Sequence, residues 1–366
     1  MLTPQKGAPD MPPRKDHSGL PTSTKPPARP PSKNLIFLQP VIDRWHKEIL
    51  ANDEYLPAIA GRPYRGSMAG LRCDRQLFYA LTGVERTVPR SVADSWRLNL
   101  GTMVHDGLQE VLDNLGDGWR REVIVDYRPI GIDGSAHADL AQFVCIHCGS
   151  TIDCIDVVSL DEPGAAFLTM RCSVACDASQ EYLVERKPDG AHTWSPEHER
   201  AEFTVEFKTV NGMQFKSMAT SFRGAPEGAR SGHILQGAMS AKALGCNQVI
   251  VAYLAMENVG VDLAQSIETG EIGRFAAEWH FTVAEVETAI EFEVGRVKRL
   301  LAAAEYDVLP MRVLHDQDLP ENAQVINPAR KTWVVKNDDG TIAATGTKWF
   351  CDYCDHRPRC IEDGAG

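Results

Sequence analysis

The sequence lacks the features that mark a membrane protein or a nucleotide-driven motor. Its longest apolar run, Val249 to Met256, is far shorter than the roughly 20 residues that cross a bilayer. The chain begins without an apolar segment of the kind that directs secretion. It also holds no glycine-rich nucleotide loop and no Walker signature, so any helicase activity would have to come from another chain. We therefore expect a cytoplasmic protein that makes no membrane contact.

Positive charge is also in short supply. The formal net charge of -12 argues against broad, sequence-wide binding to nucleic acid, although it leaves room for a local basic channel. Residues 1–33 contain nine prolines, several basic side chains and few large apolar ones. Such a segment cannot bury enough surface to offset its ordering entropy, which predicts a disordered, Pro-rich basic tail. Residues 34–366 are then the folded domain, for which the 43% of hydrophobic residues in the chain supply a core.

The hydrophobic patterns predict an α/β fold. A segment with helical spacing precedes three segments with strand-like alternation, and a helix, a strand and a long helix follow. Thr282 and Glu285 have the spacing of a capping box at the start of the long helix. Between the second and third strands, residues 144–200 carry their own cysteines, which indicates an inserted module.

The segment "VEFKTV" places an acid and an amine two residues apart. Because side chains alternate across a strand, Glu206 and Lys208 share one face. A carboxylate binds a hard cation through oxygen, and a neighbouring lysine can position a water molecule or stabilise phosphate charge. This pair suits metal-assisted phosphodiester cleavage, although a solvated amphipathic strand explains it when it is taken alone.

Two further residues matter in combination with that pair. Asp139 is predicted at the end of the preceding strand, and His105 on a helix in register with its apolar side. Taken singly, Asp139 could pair with a surface arginine, and His105 could be an ordinary core residue. Together they give the order G-x-x-x-H on a helix, an aspartate on a strand and E-x-K on the next strand.

This order of motifs resembles the RecB-like branch of the PD-(D/E)xK nuclease superfamily. The resemblance implies a restriction-endonuclease-like core, in which helices flank a mixed central sheet. It assigns Mg²⁺ or Mn²⁺ binding to three residues, His105, Asp139 and Glu206. It makes Lys208 catalytic, together with the two carboxylates, and Gln236 matches the downstream glutamine of the family. Ser240 departs from the pattern, because the family has a tyrosine at that position.

The cysteines form two sets, of which the first spans the domain. It combines one upstream cysteine with the C-x2-C-x5-C of "CDYCDHRPRC": Cys73, Cys351, Cys354 and Cys360. The set resembles the iron–sulfur staple of the CRISPR-associated RecB-like exonucleases and of the AddB nuclease domain. That resemblance implies a [4Fe-4S] cluster that joins the two ends of the domain. Zinc, which also binds four thiolates, is the alternative.

The second set lies inside the inserted module. Its two local pairs, C-x2-C and C-x3-C, are typical of a zinc ribbon, with the ligands Cys145, Cys148, Cys172 and Cys176. His147 and Cys154 are spare candidates. The alternative is a hairpin that holds no metal.

The segment after Lys208 is rich in glycine and carries three candidates for DNA contact, Lys216, Arg223 and Arg230. A solvated connecting loop is the alternative. The resemblance implies a metal-dependent exonuclease that acts on single-stranded DNA ends. DNA repair, recombination, phage DNA metabolism and CRISPR adaptation use such enzymes, often with a helicase or another partner. The rival functions are a non-catalytic protein that binds DNA ends or partners, and a structural protein with two zinc sites.

Overall fold

The computed structural model describes residues 61–363 apart from 70, 72, 89–91, 113–117, 175, 177–179, 220–227, 257–275, 311–322, 328–331, 337–341 and 348–353. The predicted basic tail, residues 1–33, lies outside the described residues. So do two predicted site residues, Cys351 and Arg223.

The described residues form strands and helices in the mixed order of an α/β protein. The strands are β1 (Tyr64–Arg65), β2 (Trp119–Asp126), β3 (Gly134–Cys145), β4 (Ile152–Ser159), β5 (Ala166–Cys172), β6 (Tyr182–Arg186), β7 (Glu199–Val210), β8 (Gln248–Ala255), β9 (Ala276–Thr282), β10 (Ala323–Asn327), β11 (Thr332–Lys336) and β12 (Ile342–Thr347). The α-helices are α1 (Asp74–Leu81), α2 (Val92–Leu112), α3 (Gly212–Ala219), α4 (Ser231–Ala243), α5 (Val283–Glu305) and α6 (Arg357–Glu362). None of these helices is both long enough and apolar enough to cross a membrane.

A six-stranded mixed sheet lies at the centre of the domain. β2, β3 and β7 are antiparallel neighbours, β8 runs parallel to β7, and β9 runs antiparallel to β8. The two-residue β1 pairs in parallel with the start of β3. Alternation drives the burial of the sheet, since Val249, Val251 and Tyr253 of β8 are at most 1% exposed. The predicted α/β layout, with a mixed central sheet and flanking helices, is confirmed.

Helices α4 and α5 cover the part of the sheet that carries the acid–lysine pair. α4 packs on β7 and β8, and α5 packs on α4. α5 begins with the predicted capping box: Thr282 N donates to Glu285 Oε2 at 2.7 Å, and Glu285 N donates to Thr282 Oγ1 at 3.3 Å. Two amides at this helix start are thereby satisfied, which fixes the point where β9 turns into α5.

The segment between β3 and β7 forms a separate three-stranded sheet of β4, β5 and β6. It has its own small core: Cys145, Ile152, Leu168, Met170, Cys172, Tyr182 and Val184. The chain enters the module from β3 and returns from it to β7 at the same place in the central sheet, because Cys145 pairs with Glu199 in the β3–β7 ladder. There the buried Glu199 carboxylate accepts hydrogen bonds from Arg120 and, at 2.6 Å, from Tyr182 Oη.

The C-terminal part of the chain packs against the first helix of the described domain. β10, β11 and β12 form an antiparallel sheet. Beyond it, Asp355 O accepts the amides of Thr87 and Val88 at 2.9 and 3.0 Å. Tyr79 Oη of α1 donates to Asp363 Oδ2 at 2.6 Å. These contacts place the beginning and the end of the domain side by side.

Candidate functional site

The acid–lysine pair of β7 lies at the buried centre of the candidate site. Glu206 is only 1% exposed, and Lys208 Nζ donates to its Oε1. Burial, followed by the charge of Asp139, raises the pKa of Glu206 well above its usual range, although Lys208 opposes the rise. Burial also acts on Lys208, but the carboxylates of Glu206 and Asp139 outweigh it and raise the pKa of the ammonium. Lys208 is therefore a fixed positive charge at neutral pH.

Asp139 reaches β7 where the two strands stop pairing. The β3–β7 ladder runs from Cys145 opposite Glu199 to Leu140 opposite Val205. Beyond that pair, Asp139 Oδ2 accepts the Phe207 amide at 2.7 Å. The aspartate, predicted at the end of a strand, lies inside β3 well before its end at Cys145, and that prediction is wrong. A side-chain acceptor thus continues the hydrogen bonding of the ladder and holds a carboxylate beside Glu206.

His105 is held by the same residue of β7. Its Nε2 lies 3.2 Å from the Phe207 carbonyl oxygen. Because a carbonyl oxygen can only accept, Nε2 is the donor in this contact. The N–H and C=O of one residue, Phe207, therefore position two of the three predicted metal ligands.

The glycine in G-x-x-x-H has a physical reason in this structure. A Cβ atom at Gly101 would lie 3.2 Å from Thr209 Oγ1 of β7, which is tighter than ordinary contact. Gly101 precedes His105 by about one helical turn. The missing side chain lets α2 approach β7, so that His105 reaches the Phe207 carbonyl.

One residue that the motifs do not identify joins this site. Donor atoms of His105, Glu122 and Asp139 all lie within 4.8 Å of one another. Glu122 belongs to β2 and has a left-handed backbone, with φ of 47°. Its carboxylate also lies 3.5 Å from His137 Nδ1. No sequence signal distinguishes this glutamate, since its place depends on the β2–β3 register.

Helix α4 supplies the back of the site. Gly237 lies so close to the sheet that a Cβ there would be 2.7 Å from Val249 Cγ2 and 3.3 Å from Glu206 Cβ. Gln236, the predicted catalytic glutamine, is the neighbouring residue and is half-buried. Ser240, one turn further, is buried, and its Oγ lies 2.9 Å from Tyr127 Oη. Tyr127, in the loop after β2, therefore supplies the phenol that contacts Ser240.

Two of the three predicted DNA-contact residues, Arg230 and Lys216, lie among the described residues. Arg230 is exposed immediately before α4, and its amide donates to Tyr253 Oη at 3.0 Å. The same hydroxyl lies 2.8 Å from His233 Nδ1. Burial, then the charges of Lys208 and Arg230, lower the pKa of His233 to about 4, so this imidazole is neutral at pH 7. Lys216 is half-buried on α3.

The four cysteines of the inserted module converge as predicted. The sulfur atoms of Cys145, Cys148, Cys172 and Cys176 all lie within 4.8 Å of one another, and this group could bind a metal ion or an iron–sulfur cluster. Two of the Sγ–Sγ distances are 3.8 Å, between Cys145 and Cys176, and 3.4 Å, between Cys148 and Cys172.

Local backbone geometry sets up the first pair of these thiols. Gly149, with φ of 74°, allows the tight turn in which its amide donates to the Cys145 carbonyl oxygen at 2.9 Å. Hydrogen bonds from the Ser150 side chain and backbone lower the pKa of the exposed Cys148 thiol to about 6. The spare candidates His147 and Cys154 are not in the group, and Cys154 Sγ donates instead to Asp156 O.

The cysteines at the two ends of the domain approach one another more loosely. Burial, then the nearby Cys73 and Cys360, raise the pKa of the Cys354 thiol. These three sulfurs do not meet the 4.8 Å spacing that joins the module's four among the described residues. Cys73 directly precedes α1, and Cys360 lies in α6, so the helices that pack together at the domain ends carry them. The fourth predicted ligand, Cys351, lies outside the described residues.

Comparisons with known proteins add little to this geometry. No protein-family model matches the chain, and no curated protein matches it. A crystal structure described as that of SSO0001 aligns with 88% of this chain and 95% of its own chain, at 12% sequence identity and a TM-score of 0.33. A similarity that weak carries no argument about fold or function.

Proposed function

We propose that the chain is a divalent-metal-dependent DNA nuclease with a PD-(D/E)xK core, which resembles the RecB-like branch. One observation supports the proposal: the backbone of Phe207 binds His105 and Asp139, and its two neighbours in β7, Glu206 and Lys208, are hydrogen-bonded to each other. Residues far apart in the sequence thus form one mixed nitrogen and oxygen site beside a fixed ammonium group.

The order of the elements supports the same class. Helix α2 precedes an antiparallel β2–β3–β7 arrangement, and α4 then leads to β8, which runs parallel to β7. The histidine comes from α2, the aspartate from β3, and the acid–lysine pair from the next strand of the sheet. This is the sequence of motifs that the RecB-like resemblance requires.

The chemistry follows from the charges in the site. A bound Mg²⁺ or Mn²⁺ would polarise the phosphate and lower the pKa of an attacking water molecule. Asp139 and Glu206 would provide hard oxygen donors, and the imidazole of His105 would provide a nitrogen donor. Because its pKa is raised, Lys208 cannot act as a base at neutral pH. It instead donates hydrogen bonds to the phosphate or to the water and stabilises the developing negative charge.

Single-stranded DNA ends are the proposed substrate. The exposed Arg230 and Lys208 both place positive charge near His233. A basic path could therefore extend from the pocket along the start of α4, and Lys216 and Arg223 are further candidates for it. A helicase or a recombination or CRISPR protein would supply the unwound strand, because the chain has no Walker signature.

Cleavage of labelled DNA tests this proposal. With Mn²⁺ or Mg²⁺, the wild-type protein should degrade end-labelled single-stranded DNA and leave circular single-stranded DNA intact. Glu206→Gln and Lys208→Met should each lower the rate by about 10²–10³-fold. Matched controls exist in the Lys242–Glu287 ion pair between α4 and α5, so Lys242→Met and Glu287→Gln should cleave normally. Full cleavage by folded Glu206→Gln and Lys208→Met would overturn the active site and leave a non-catalytic DNA-end or partner-binding protein.

We also propose that the cysteine group of the module holds zinc. A tetrahedral zinc site with Zn–S bonds of about 2.3 Å places its sulfurs about 3.8 Å apart. The distances of 3.8 and 3.4 Å fit that spacing. In a [4Fe-4S] cluster each thiolate binds a different iron, which sets the sulfurs farther apart. The looser set of Cys73, Cys354 and Cys360 is consistent with such a cluster, completed by Cys351.

Metal analysis after anaerobic purification separates these assignments. We expect a brown protein with one zinc and about four iron atoms per chain. Cys148→Ser should lose zinc and keep iron, whereas Cys354→Ser should lose iron and keep zinc. A colourless protein with two zinc ions and no iron would replace the cluster with a second zinc site.

A further inference from the structure

We propose that Glu122 is a ligand of the divalent cation in the candidate active site. This inference rests on the proposed metal site but not on its nuclease activity. Glu122 belongs to none of the motifs that suggested the site. In the structure its carboxylate meets the donor atoms of His105 and Asp139 within 4.8 Å, a spacing that one cation can bridge. Glu206, by contrast, is occupied by Lys208.

The β2–β3 ladder explains how Glu122 reaches the cation position. Arg121 pairs with Leu140 and Val123 pairs with Ala138, so Glu122 stands opposite Asp139. The ladder skips this pair, because φ of Glu122 is 47° rather than extended. Before Glu122 the buried residue is Arg120, and after it the buried residues are Val123 and Val125. The alternation of buried and less buried side chains therefore changes from even to odd positions at Glu122. The shift brings a β2 carboxylate to the donor atoms that lie beside β7.

The charges of the pocket favour a cation at this position. Asp139 and Glu122 both place negative charge near the buried Glu206. Lys208 is already engaged by Glu206. A divalent ion between Glu122, Asp139 and His105 would relieve this repulsion, and two carboxylates with one imidazole suit Mn²⁺.

The competing explanation is that Glu122 serves only as a partner of His137, whose Nδ1 lies 3.5 Å away. Under that explanation the loss of the Glu122 charge would weaken cation binding no more than the loss of another nearby charge. Asp189 provides that comparison. It is exposed, its charge acts on His137, and its carboxylate accepts the Ala191 amide at 3.0 Å, which an asparagine can also accept.

Titration of the full-length protein with Mn²⁺ alone tests the proposal, after dialysis that removes weakly bound divalent cations and keeps the metals of the cysteine sites, with free Mn²⁺ followed by electron paramagnetic resonance. Glu122→Gln should weaken Mn²⁺ binding by about tenfold or more, as expected for a lost ligand. Asp189→Asn should weaken it by about twofold or less, since it removes only a screened charge. Equal affinities for Glu122→Gln and Asp189→Asn would overturn the proposal.

A second variant keeps the test decisive if Glu122→Gln folds poorly. Glu122→Gly accepts the left-handed backbone without strain and also removes the carboxylate. Without Mn²⁺, it should unfold at a temperature no lower than that of the wild type. It should then gain less thermal stability than the wild type when Mn²⁺ is added. A gain equal to that of the wild type would also overturn the proposal.

Cleavage measured on the same samples distinguishes this inference from the proposed function. Mn²⁺ binding that depends on Glu122, without any cleavage of DNA, would support the ligand and refute the nuclease. Cleavage by the wild type, with unchanged Mn²⁺ affinity in Glu122→Gln, would support the nuclease and refute the ligand.

Discussion

The candidate active site and the cysteine group of the module are both candidate metal sites, but different forces assemble them. The donors of the first are held by the scaffold itself: Phe207 binds Asp139 and His105 through its backbone, and Lys208 binds Glu206. The second closes a sheet of three strands over a few buried side chains. Such a small core needs added stabilisation, which four metal–thiolate bonds would supply. Metal removal should therefore leave the first region folded and unfold the second.

The largest effect is expected when the module loses its metal. Cys172→Ser should abolish zinc binding and unfold residues 146–198 locally, while the central sheet keeps its protection. Hydrogen exchange read by mass spectrometry, together with zinc analysis, measures both. Cys246→Ser is the matched control, because Cys246 is buried and donates to Glu202 O at 2.9 Å, a bond that serine can form. Unchanged protection of the module in zinc-free Cys172→Ser would contradict this contrast.

The next effect concerns the ion pair of the pocket. Lys208→Met leaves the carboxyl group of Glu206 buried without its hydrogen-bond partner, and should cost about 1–3 kcal/mol of the free energy of unfolding. Adding Glu206→Gln should recover part of that loss, since the amide of glutamine carries no charge at any pH. Denaturant unfolding of the two single variants and the double variant gives the coupling energy. Additive losses would show that the two side chains do not interact.

Stability should also fall with rising pH in metal-free buffer. The pKa of Glu206 is raised from its ordinary 4.5 to about 8, so between these values the folded protein holds a proton that the unfolded chain has released. The stabilisation is complete below the pKa that Glu206 has in the unfolded chain, and it is lost as the pH rises through the pKa of Glu206 in the folded protein. The free energy of unfolding should fall by at most roughly 1.4 kcal/mol for each pH unit. Unfolding midpoints at pH 5, 7 and 9 measure this decline. Glu206→Gln should flatten it, and an equal slope in that variant would assign the decline to other groups.

The smallest effect tests how closely α4 is fitted behind the pocket. Gly237→Ala places a methyl group 2.7 Å from Val249 Cγ2 and should lower the free energy of unfolding by about 1–3 kcal/mol. Gly295→Ala in α5 meets only the flexible end of Arg299 at 3.5 Å and should instead be neutral or stabilising, by up to about 1 kcal/mol. Chemical denaturation compares the two variants. Equal stabilities would show that the sheet moves to accept the added methyl group.

Several parts of this molecule could be predicted because their signals are local. Val249, Val251 and Tyr253 alternate along one segment, the capping box of α5 lies within four residues, and the paired cysteine motifs define the module's four thiols. Glu206 and Lys208 share a strand, so period two alone places them together. These features need no knowledge of which strands are neighbours.

Other parts depend on contacts between distant segments and could not be predicted. Glu122 joins the pocket only through the β2–β3 register and its left-handed backbone. The Tyr127–Ser240 contact joins residues 113 positions apart. β1 has only two residues, and β9 carries charged side chains, so neither has a strong hydrophobic pattern. Long-range register, rather than local propensity, decides all four features.

The pairing of Cys145 with Glu199 makes the module a removable part of the domain. Both ends of the module stand side by side in one antiparallel ladder, so a short turn between β3 and β7 would restore an ordinary hairpin without opening the central sheet. An engineered version of this domain should therefore lose or exchange the segment and keep the pocket intact.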